Sequence, residues 1–500
     1  MRSLRFAIAK NAISNVMRGA ASAVVAIVLP HFLTHALGRD QFAGWALMLQ
    51  LAAYANYLDF GLQTAVARYL AGALERNDRV ERDRLLSSAT TMLTGGGVLA
   101  ICLLGIVAWQ LPHLFHTAPQ SLIGEIRAGV IILGIAAAIG LALSAYTGVL
   151  VGMQRNELPA LAAGSSRILG AIAVVVAATH YTQSLAWLAL WLGIFNVAGG
   201  VIQYVIAKRL LGDYRFRWSA LDGATTKALV RYCAELSVWS FGMLLVSGLD
   251  VTIVGLFNFR ATGAYSIAAT LIIFFTGLNG AAFSAMLAPV AVMQARHEYA
   301  RIERLVLVTT RLGSYLSMAV VIFTFLFGET LVRMWVGASY LSITLPVLKI
   351  LVIAQAIRLT GNAFGTMLVG MGYQRYGIVP ALVEGVSNLL LSVVGMIYLG
   401  PAGVAWATLI AAVIALAVLI FFVMRRIQEV RIRLWSFVAQ GLFVPFVPFL
   451  PLCLWIAVRD LCSESFPIPS GFAFVLTTVL SLLTVALIKR GIDGAQRLRN

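Results

Sequence analysis

Charged residues are scarce in this chain. Only 11% of its 500 residues are Asp, Glu, Lys or Arg, whereas 60% are hydrophobic and the mean hydropathy is +0.90. Soluble domains carry about 25% charged residues, so a water-solvated surface cannot be built from this composition. The polar stretches between the apolar runs are too short for a folded soluble domain. The composition therefore predicts an integral membrane protein.

Motifs of several enzyme and pump classes are also missing. The sequence contains no HExxH, no GxSxG and no GxxxxGK[ST], which excludes zincin, serine-elbow and P-loop chemistry encoded in this chain. The four cysteines have no spacing typical of metal ligands. We predict no catalytic residues, no metal site and no bound cofactor, and therefore a protein that is not an enzyme.

Long apolar runs dominate what remains, and a transmembrane helix needs about 20 such residues. They predict about 14 spans, at 11–37, 41–72, 87–110, 122–152, 158–179, 183–207, 229–257, 261–293, 305–327, 341–371, 376–399, 402–424, 434–458 and 468–488. The net charge is +17, and 26 of the 37 basic residues fall in connections on one side against five on the other. Membrane proteins concentrate basic residues in their cytoplasmic connections, so we interpret the charge as a sign of membrane orientation rather than of nucleic-acid binding. It assigns both termini to the cytoplasm.

An internal repeat runs through the sequence at an offset of about 220 residues. Four pairs of words carry it: Leu150–Met153 with Leu368–Met371, Pro159–Leu161 with Pro380–Leu382, Gly44 and Gly61 with Gly263 and Gly280, and Leu185–Trp187 with Val404–Trp406. Each copy holds six spans, so both copies enter the membrane in the same orientation. We predict an all-α fold of two pseudo-symmetric six-helix lobes, at 1–217 and 218–430, with two appended spans and a cytoplasmic tail at 431–500.

Ionisable residues within the spans are costly, at about 2.5–3.5 kcal/mol each near the bilayer centre, and must face protein or water. Those near span ends (Arg68, Glu235 and Arg311) are interpreted as snorkelling or paired. The others lie in polar stripes at helical spacing, which either face an aqueous cavity or form interhelical hydrogen bonds. The stripes are Asn11, Asn15, Arg18 and Ser22; Asn56, Asp59 and Gln63; Gln355, Arg358 and Asn362; and Glu384 with Asn388.

The depth of the basic residues suggests a path for an anion. Counted from the span ends, three arginines lie in the cytoplasmic half and one lysine lies in the outer half. Forked guanidinium groups suit a phosphate ester, which we predict as part of the cargo. The candidate substrate-binding residues are Asn15, Arg18, Arg167, Lys349, Arg358 and Asn362. The candidate ion-coupling residues are the acids Asp59, Asp250 and Glu384.

Several short sequence motifs resemble those of the bacterial polysaccharide transporters. They are Leu58–Gly61 followed by Ala67–Tyr69, Leu37-Gly38 with Gly44-Trp45, Asp250 near Gly255 with Gly263–Tyr265, and Leu150–Met153. These transporters are O-antigen-type flippases of the multidrug, oligosaccharidyl-lipid and polysaccharide exporter superfamily. The resemblance implies an inner-membrane flippase that moves undecaprenyl-pyrophosphate-linked oligosaccharide from the cytoplasmic to the periplasmic leaflet by alternating access.

The resemblance also implies Na⁺ or H⁺ as the candidate coupling ion, and a glycan polymerase and a chain-length regulator as candidate partners. Two alternatives share the superfamily. A multidrug and toxin extruder would favour an acidic cavity for cationic cargo, whereas a peptidoglycan-precursor flippase would share a cationic one. A membrane polymerase or ligase is a third alternative, but such enzymes carry a large outer loop, and the connections here are short.

Overall fold

The computed structural model describes residues 24–212, 216, 222–284, 286–427, 429–430 and 432–454. Within these ranges the chain is helical and contains no strand. The helices are α1 Val24–Ala36, α2 Arg39–Ala53, α3 Leu62–Glu75, α4 Arg79–Leu114, α5 Gln120–Gly152, α6 Glu157–His180, α7 Leu185–Leu211, α8 Gly223–Met243, α9 Asp250–Phe257, α10 Phe259–Ser284, α11 Leu287–Ala295, α12 Tyr299–Val336, α13 Leu341–Gly370, α14 Arg375–Leu399, α15 Pro401–Val418 and α16 Leu434–Leu454.

The predicted all-α membrane fold is confirmed. Ten helices in the described ranges are long and apolar enough to cross a bilayer, with α15 continuing to Arg426 as one of them. The remaining predicted spans among the described residues are supplied by α1, by α2 with α3, and by α8 with α9. The last predicted span, 468–488, lies outside the described residues.

Three predicted spans are each divided into two helices rather than continuous. In span 41–72, α2 passes into a short 3-10 segment, and Phe60 and Gly61 then adopt left-handed conformations with φ of 50° and 73°. In span 229–257, a π-helical segment, Leu244–Gly248, separates α8 from α9. In span 261–293, α10 ends at Ser284 and α11 begins at Leu287. The predicted stripe of Asn56, Asp59 and Gln63 is therefore wrong as one helical face, because the break falls inside it.

The internal repeat is visible in the turns that end α5 and α13. The N–H of Arg155 donates to the carbonyl of Leu150 at 2.9 Å, and the N–H of Tyr373 donates to that of Leu368 at 2.7 Å. This six-to-one hydrogen bond closes a Schellman motif, which requires one residue in the left-handed region. Gln154 takes that position in the first copy and Gly372 takes it in the second, at φ of 59° and 76°.

A second pair of turns repeats in the same way. Asn77 and His297, at φ of 54° and 57°, end the turns between α3 and α4 and between α11 and α12. Helix packing repeats as well: α5 packs on α3, α4 and α7 as α13 packs on α11, α12 and α15, and α6 packs on α7 as α14 packs on α15. The two copies thus have one architecture, whereas the boundaries predicted for the lobes at 217 and 430 stay predictions.

The two halves meet near the side predicted to be periplasmic. One hydrophobic core there includes Leu33 and Phe42 of the first half and Phe259, Tyr265 and Val336 of the second, all nearly fully buried. Helices α2 and α10 cross within this core at a glycine, since a Cβ on Gly263 would lie 2.9 Å from the Phe42 ring. This close crossing brings the membrane-depth polar residues of the two halves together.

Candidate functional site

A cavity of about 440 Å³ lies between the halves. We call it the interhalf cavity. Helices α1, α2, α6 and α7 of the first half and α9 and α10 of the second line it. Much of its lining is apolar, and the polar side chains among its lining residues are Gln50, Arg167, Asn196, Ser266 and Thr270. Residues from both repeats therefore enclose one space at membrane depth.

A second cavity, of about 370 Å³, lies within the first half between α2, α5, α6 and α7. We call it the first-half chamber. Its polar lining residues are Asn56, Ser144, Thr147, Ser166, Arg167, Asn196 and Gln203. Arg167 and Asn196 line both cavities, so the two spaces meet at these side chains.

Among the described residues, Arg167 is the candidate substrate-binding residue that lines these cavities. It follows the start of α6 by ten residues, which places its Cα about 15 Å along the helix axis, near the middle of a hydrocarbon core of about 30 Å. The residue is exposed despite this depth. A guanidinium group exposed to an internal space at this depth can attract an anionic group that enters it.

Arg358 has a different environment. Its Nε donates to Oε1 of Glu384 at 2.6 Å, and its Nη1 donates to Oε1 of Gln355 at 3.0 Å. The pair is largely buried, with side-chain exposures of 24% and 10%. The Nη2 atom of Arg358 is buried and has no hydrogen-bond partner among the described residues. A predicted substrate ligand and a predicted ion-coupling acid are therefore joined in one ion pair within the second half.

Asp250 lies at the start of α9 and is buried, with 6% of its surface exposed. Its Oδ1 accepts a hydrogen bond from Nδ2 of Asn388 at 2.9 Å. Its Oδ2 accepts from the hydroxyl groups of Thr408 at 3.2 Å and Tyr265 at 3.4 Å. Three helices of the second half, α10, α14 and α15, thus supply donors to one carboxylate, which compensates for its removal from water.

The π-helical segment connects this carboxylate to the first half. Nδ2 of Asn388 also donates to the carbonyl of Val246 at 2.9 Å. Two residues further along, the carbonyl of Gly248 accepts from Nε2 of Gln50 at 2.6 Å and from the hydroxyl of Tyr54 at 2.8 Å. Gln50 and Tyr54 belong to the first half, so polar groups from both halves hold the carbonyl groups that the irregular segment exposes.

The remaining candidate residues are dispersed. Lys349 lies over the Phe325 ring of α12 at 5.1 Å and on the face of α13 opposite Arg358, since nine residues turn a helix by two and a half turns. Asn362 shares the Arg358 face and is half-buried. Asp59 is half-buried at the break after α2 and accepts a hydrogen bond from the N–H of Gln63 at 3.3 Å.

Two candidates, Asn15 and Arg18, lie outside the described residues, as does the rest of their predicted stripe. Sequence reasoning missed several uncharged polar residues of the two cavities, of the Asp250 cluster and of the contact at Gly248, among them Gln50, Tyr54, Thr147, Asn196, Gln203, Tyr265 and Thr408. The available signal was an amide or hydroxyl group in the middle of an apolar span, since such groups need partners there.

The chain is similar to known proteins both in sequence and in fold. The model of a family described as polysaccharide biosynthesis protein matches residues 8–291, more than half of the chain. Among solved structures, the lipid II flippase MurJ in an inward closed conformation is similar with a TM-score of 0.73 at 12% identity, over 97% of this chain and 99% of that one.

Two further solved structures are similar. An inward-facing multidrug resistance transporter of the MATE family has a TM-score of 0.63 at 16% identity, over 79% of this chain and 92% of that one. A transporter of the MOP superfamily from Pyrococcus furiosus has a TM-score of 0.59 at 14% identity, over 87% and 96%. At these identities the likeness concerns the fold alone. No curated protein sequence matches the chain.

Proposed function

Because the chain belongs to the family of polysaccharide biosynthesis proteins, we propose that it is a flippase that moves undecaprenyl-pyrophosphate-linked oligosaccharide from the cytoplasmic to the periplasmic leaflet of a bacterial inner membrane. The family match confirms the resemblance seen in the words around Leu58–Gly61. The observation that carries the proposal is the interhalf cavity, a space at membrane depth lined by both repeats. Rocking of the two halves would expose such a space to each side in turn.

The charge of the cavity lining favours an anionic headgroup. Among the described residues that line the two cavities, Arg167 is charged and none is acidic. A pyrophosphate group would be stabilised beside this guanidinium group by charge-assisted hydrogen bonds. A cationic drug would instead need a carboxylate in the cavity, so the lining supports the flippase over the multidrug extruder.

The first prediction concerns Arg167. Removing one charge-assisted hydrogen-bonding group from a bound phosphate costs about 1.5–3 kcal/mol, so we expect Arg167→Ala to slow transport by about tenfold to a hundredfold. Arg167→Lys keeps the charge and should retain part of the rate. The measurement is movement of fluorescent lipid-linked oligosaccharide between leaflets of proteoliposomes that contain the purified protein.

The matched control is Arg209→Ala, which removes an exposed arginine from the last turn of α7 at the predicted cytoplasmic end. It should transport like the wild type. Wild-type rates in Arg167→Ala would contradict a headgroup site at Arg167. Failure of the wild type itself to move the lipid would contradict the flippase function.

We further propose that the Asp250 cluster is the site of ion coupling. The carboxylate of Asp250 and the hydroxyl oxygens of Tyr265 and Thr408 are oxygen ligands suited to Na⁺, and the carboxylate alone can take up a proton. Irregular helical segments near ionisable residues are where coupling ions bind in many transporters. Na⁺ and H⁺ both stay open as the ion, and Asp59 stays a predicted coupling residue.

The second prediction follows from this cluster. Asp250→Asn keeps the shape and most hydrogen bonds of the side chain but removes its charge. We expect transport by this variant to lose its dependence on an imposed ion gradient. Separate Na⁺ and pH gradients across the proteoliposomes identify the ion, and Asp222→Asn, at the start of α8 outside the membrane, is the control. A gradient response equal to the wild type would remove Asp250 from coupling.

The peptidoglycan-precursor flippase stays the second candidate, because the fold of the lipid II flippase covers nearly the whole chain. Competition between lipid-linked oligosaccharide and lipid II in the same proteoliposomes separates the two functions. Cytoplasmic termini, partnership with a glycan polymerase and a chain-length regulator, and the lack of enzymatic activity belong to the same proposal.

A further inference from the structure

The first-half chamber has a polar lining that differs in kind from a phosphate site. Apart from Arg167, its polar side chains are amides and hydroxyls. Two of them are fixed by each other, since the hydroxyl of Thr147 donates to Oε1 of Gln203 at 2.6 Å, and Gln203 is only 6% exposed. Asn196 is exposed, although it lies in the middle of α7. Neutral groups that both donate and accept hydrogen bonds therefore line the space.

The chamber also has room for a ligand. Its volume of about 370 Å³ falls within the range of about 300–1,000 Å³ that small-molecule sites occupy. Gly140, in the middle of α5, lines it, and a Cβ at this position would meet no atom within 4 Å. The absence of a side chain at Gly140 therefore leaves open space rather than a close helix contact.

The chemistry of the lining restricts the occupant. Several of these groups already form one hydrogen bond within the protein, as Thr147 does with Gln203. An acyl or isoprenoid chain would offer nothing to their remaining donors and acceptors, which is costly in an apolar setting. A second phosphate would require more positive charge than Arg167 supplies. Sugar hydroxyls donate and accept hydrogen bonds, as the amides and hydroxyls of the lining do. A neutral glycan can therefore pair with the donors and the acceptors of the lining.

We propose that the first-half chamber is a glycan subsite, which holds the sugars beyond the first one while the pyrophosphate lies at Arg167. The inference rests on the proposed flippase function and assigns its headgroup a position. Because Arg167 and Asn196 line both cavities, a headgroup at this junction extends its sugars into the chamber and its lipid end into the more apolar interhalf cavity.

The test fills the chamber without disturbing its walls. Gly140→Leu places a side chain into open space, and Gly124→Leu is the matched control. Gly124 is on the same helix, is not among the chamber's lining residues, and a Cβ added to it would also meet no atom within 4 Å. Both variants are compared on two lipids in proteoliposomes: undecaprenyl pyrophosphate with one sugar, and the same lipid with an oligosaccharide of several sugars.

We expect Gly140→Leu to slow the oligosaccharide lipid by about tenfold or more and to leave the single-sugar lipid within about twofold of the wild type. Gly124→Leu should transport both normally. Equal slowing of both lipids, or no slowing of either, would overturn the glycan subsite while leaving the flippase function intact. A wild-type protein that moves neither lipid would instead overturn the function itself.

Asn56→Leu provides a second test should Gly140→Leu fail to fold. Asn56 is exposed and lines the first-half chamber but not the interhalf cavity. The substitution is close to isosteric and removes both hydrogen-bonding functions of the side chain. The proposal expects the same selective loss with the longer headgroup, and unchanged transport of both lipids by Asn56→Leu would contradict it.

Discussion

Arg358 and Glu384 neutralise each other within the second half. Removing one partner of a buried ion pair leaves an uncompensated charge and costs about 3–5 kcal/mol, whereas replacing both by apolar side chains costs much less. We therefore expect Arg358→Met and Glu384→Leu each to lower the unfolding temperature of the purified protein. The double variant should recover most of the loss. Thermal unfolding in detergent, followed by intrinsic fluorescence, measures all three.

The same variants separate a structural role from substrate binding. If the double variant is stable and transports normally, Arg358 acts only within its ion pair. If it is stable and inactive, at least one of Arg358 and Glu384 has a role in transport beyond stabilising the fold. Single variants that unfold at the wild-type temperature would show that the pair contributes no stability.

Spacing in the sequence predicted part of this arrangement. Gln355 and Arg358 were placed on one helical face, and their contact confirms it. The ion pair with Glu384 joins two different helices, and helical periodicity contains no information about which neighbouring face a side chain meets. Depth alone grouped Lys349 with the arginines, but rotation around α13 turns it to the opposite side.

At the scale of elements, the equivalent turns of the two copies allow a test in which the residue types at their left-handed positions are exchanged. Gln154 and Gly372 occupy equivalent left-handed positions, at φ of 59° and 76°. A side chain in this conformation costs about 1–2 kcal/mol, which glycine avoids. We expect Gly372→Gln to lower the free energy of unfolding by about 1 kcal/mol and Gln154→Gly to raise it by a similar or smaller amount.

Denaturant titration of the two purified variants measures these changes in the free energy of unfolding. Both variants should keep the wild-type slope with denaturant concentration, so that a shift of the midpoint reports stability alone. Gly277→Gln is a useful control, as Gly277 has open space where a Cβ would lie but no positive φ. A loss in Gly277→Gln equal to that in Gly372→Gln would show that the backbone conformation is not the cause.

Hydropathy predicted where the helices are but not where they break. Apolar residues flank each break on both sides, so the average over a window is the same for one helix as for two. Gly61 was the visible sign of the first break, whereas the π-helical segment Leu244–Gly248 has no residue that requires it. Its irregular backbone depends on side chains from other helices, which a local pattern cannot contain.

At the scale of the whole molecule, the halves touch near both predicted membrane surfaces. On the predicted outer side, Nε1 of Trp335 in α12 donates to the carbonyl of Ile27 in α1 at 2.7 Å. On the predicted cytoplasmic side, the rings of Tyr69 and Tyr232 pack edge to face at 5.9 Å. The outer contact borders the interhalf cavity, because Ala26 and Leu29, which flank Ile27 on α1, line that cavity.

We expect Trp335→Leu to weaken the outer contact and shift the molecule towards outward opening. Losing one hydrogen bond of about 1 kcal/mol changes a population by about fivefold. A cysteine introduced as Thr270→Cys in the interhalf cavity, in a background without the four native cysteines, reports this through labelling by a membrane-impermeant maleimide from the outer side.

Trp109→Leu is the control, because Trp109 is exposed on α4 and lies outside the interhalf contact. It should leave labelling unchanged. A labelling rate in Trp335→Leu equal to the wild type would mean that this hydrogen bond does not hold the outer side closed.

The repeated architecture was predictable because the duplicated sequence motifs recur in the same order and at a nearly constant offset along the chain. The contacts between the halves were not, because each repeat carries its own periodicity and neither encodes how it meets the other. The division at residues 217 and 430 remains a prediction for the same reason.

The π-helical segment Leu244–Gly248 has a mechanical consequence. The carbonyl of Val246, in its middle, accepts from the Asn388 amide that also donates to Asp250, and the carbonyl of Gly248, at its end, accepts from Gln50 and Tyr54 of the first half. Under the proposed coupling role of Asp250, binding or release of an ion would alter the Asn388 hydrogen bonds and with them the segment that both halves hold. Ion binding in the second half would then be linked to the contact with the first half.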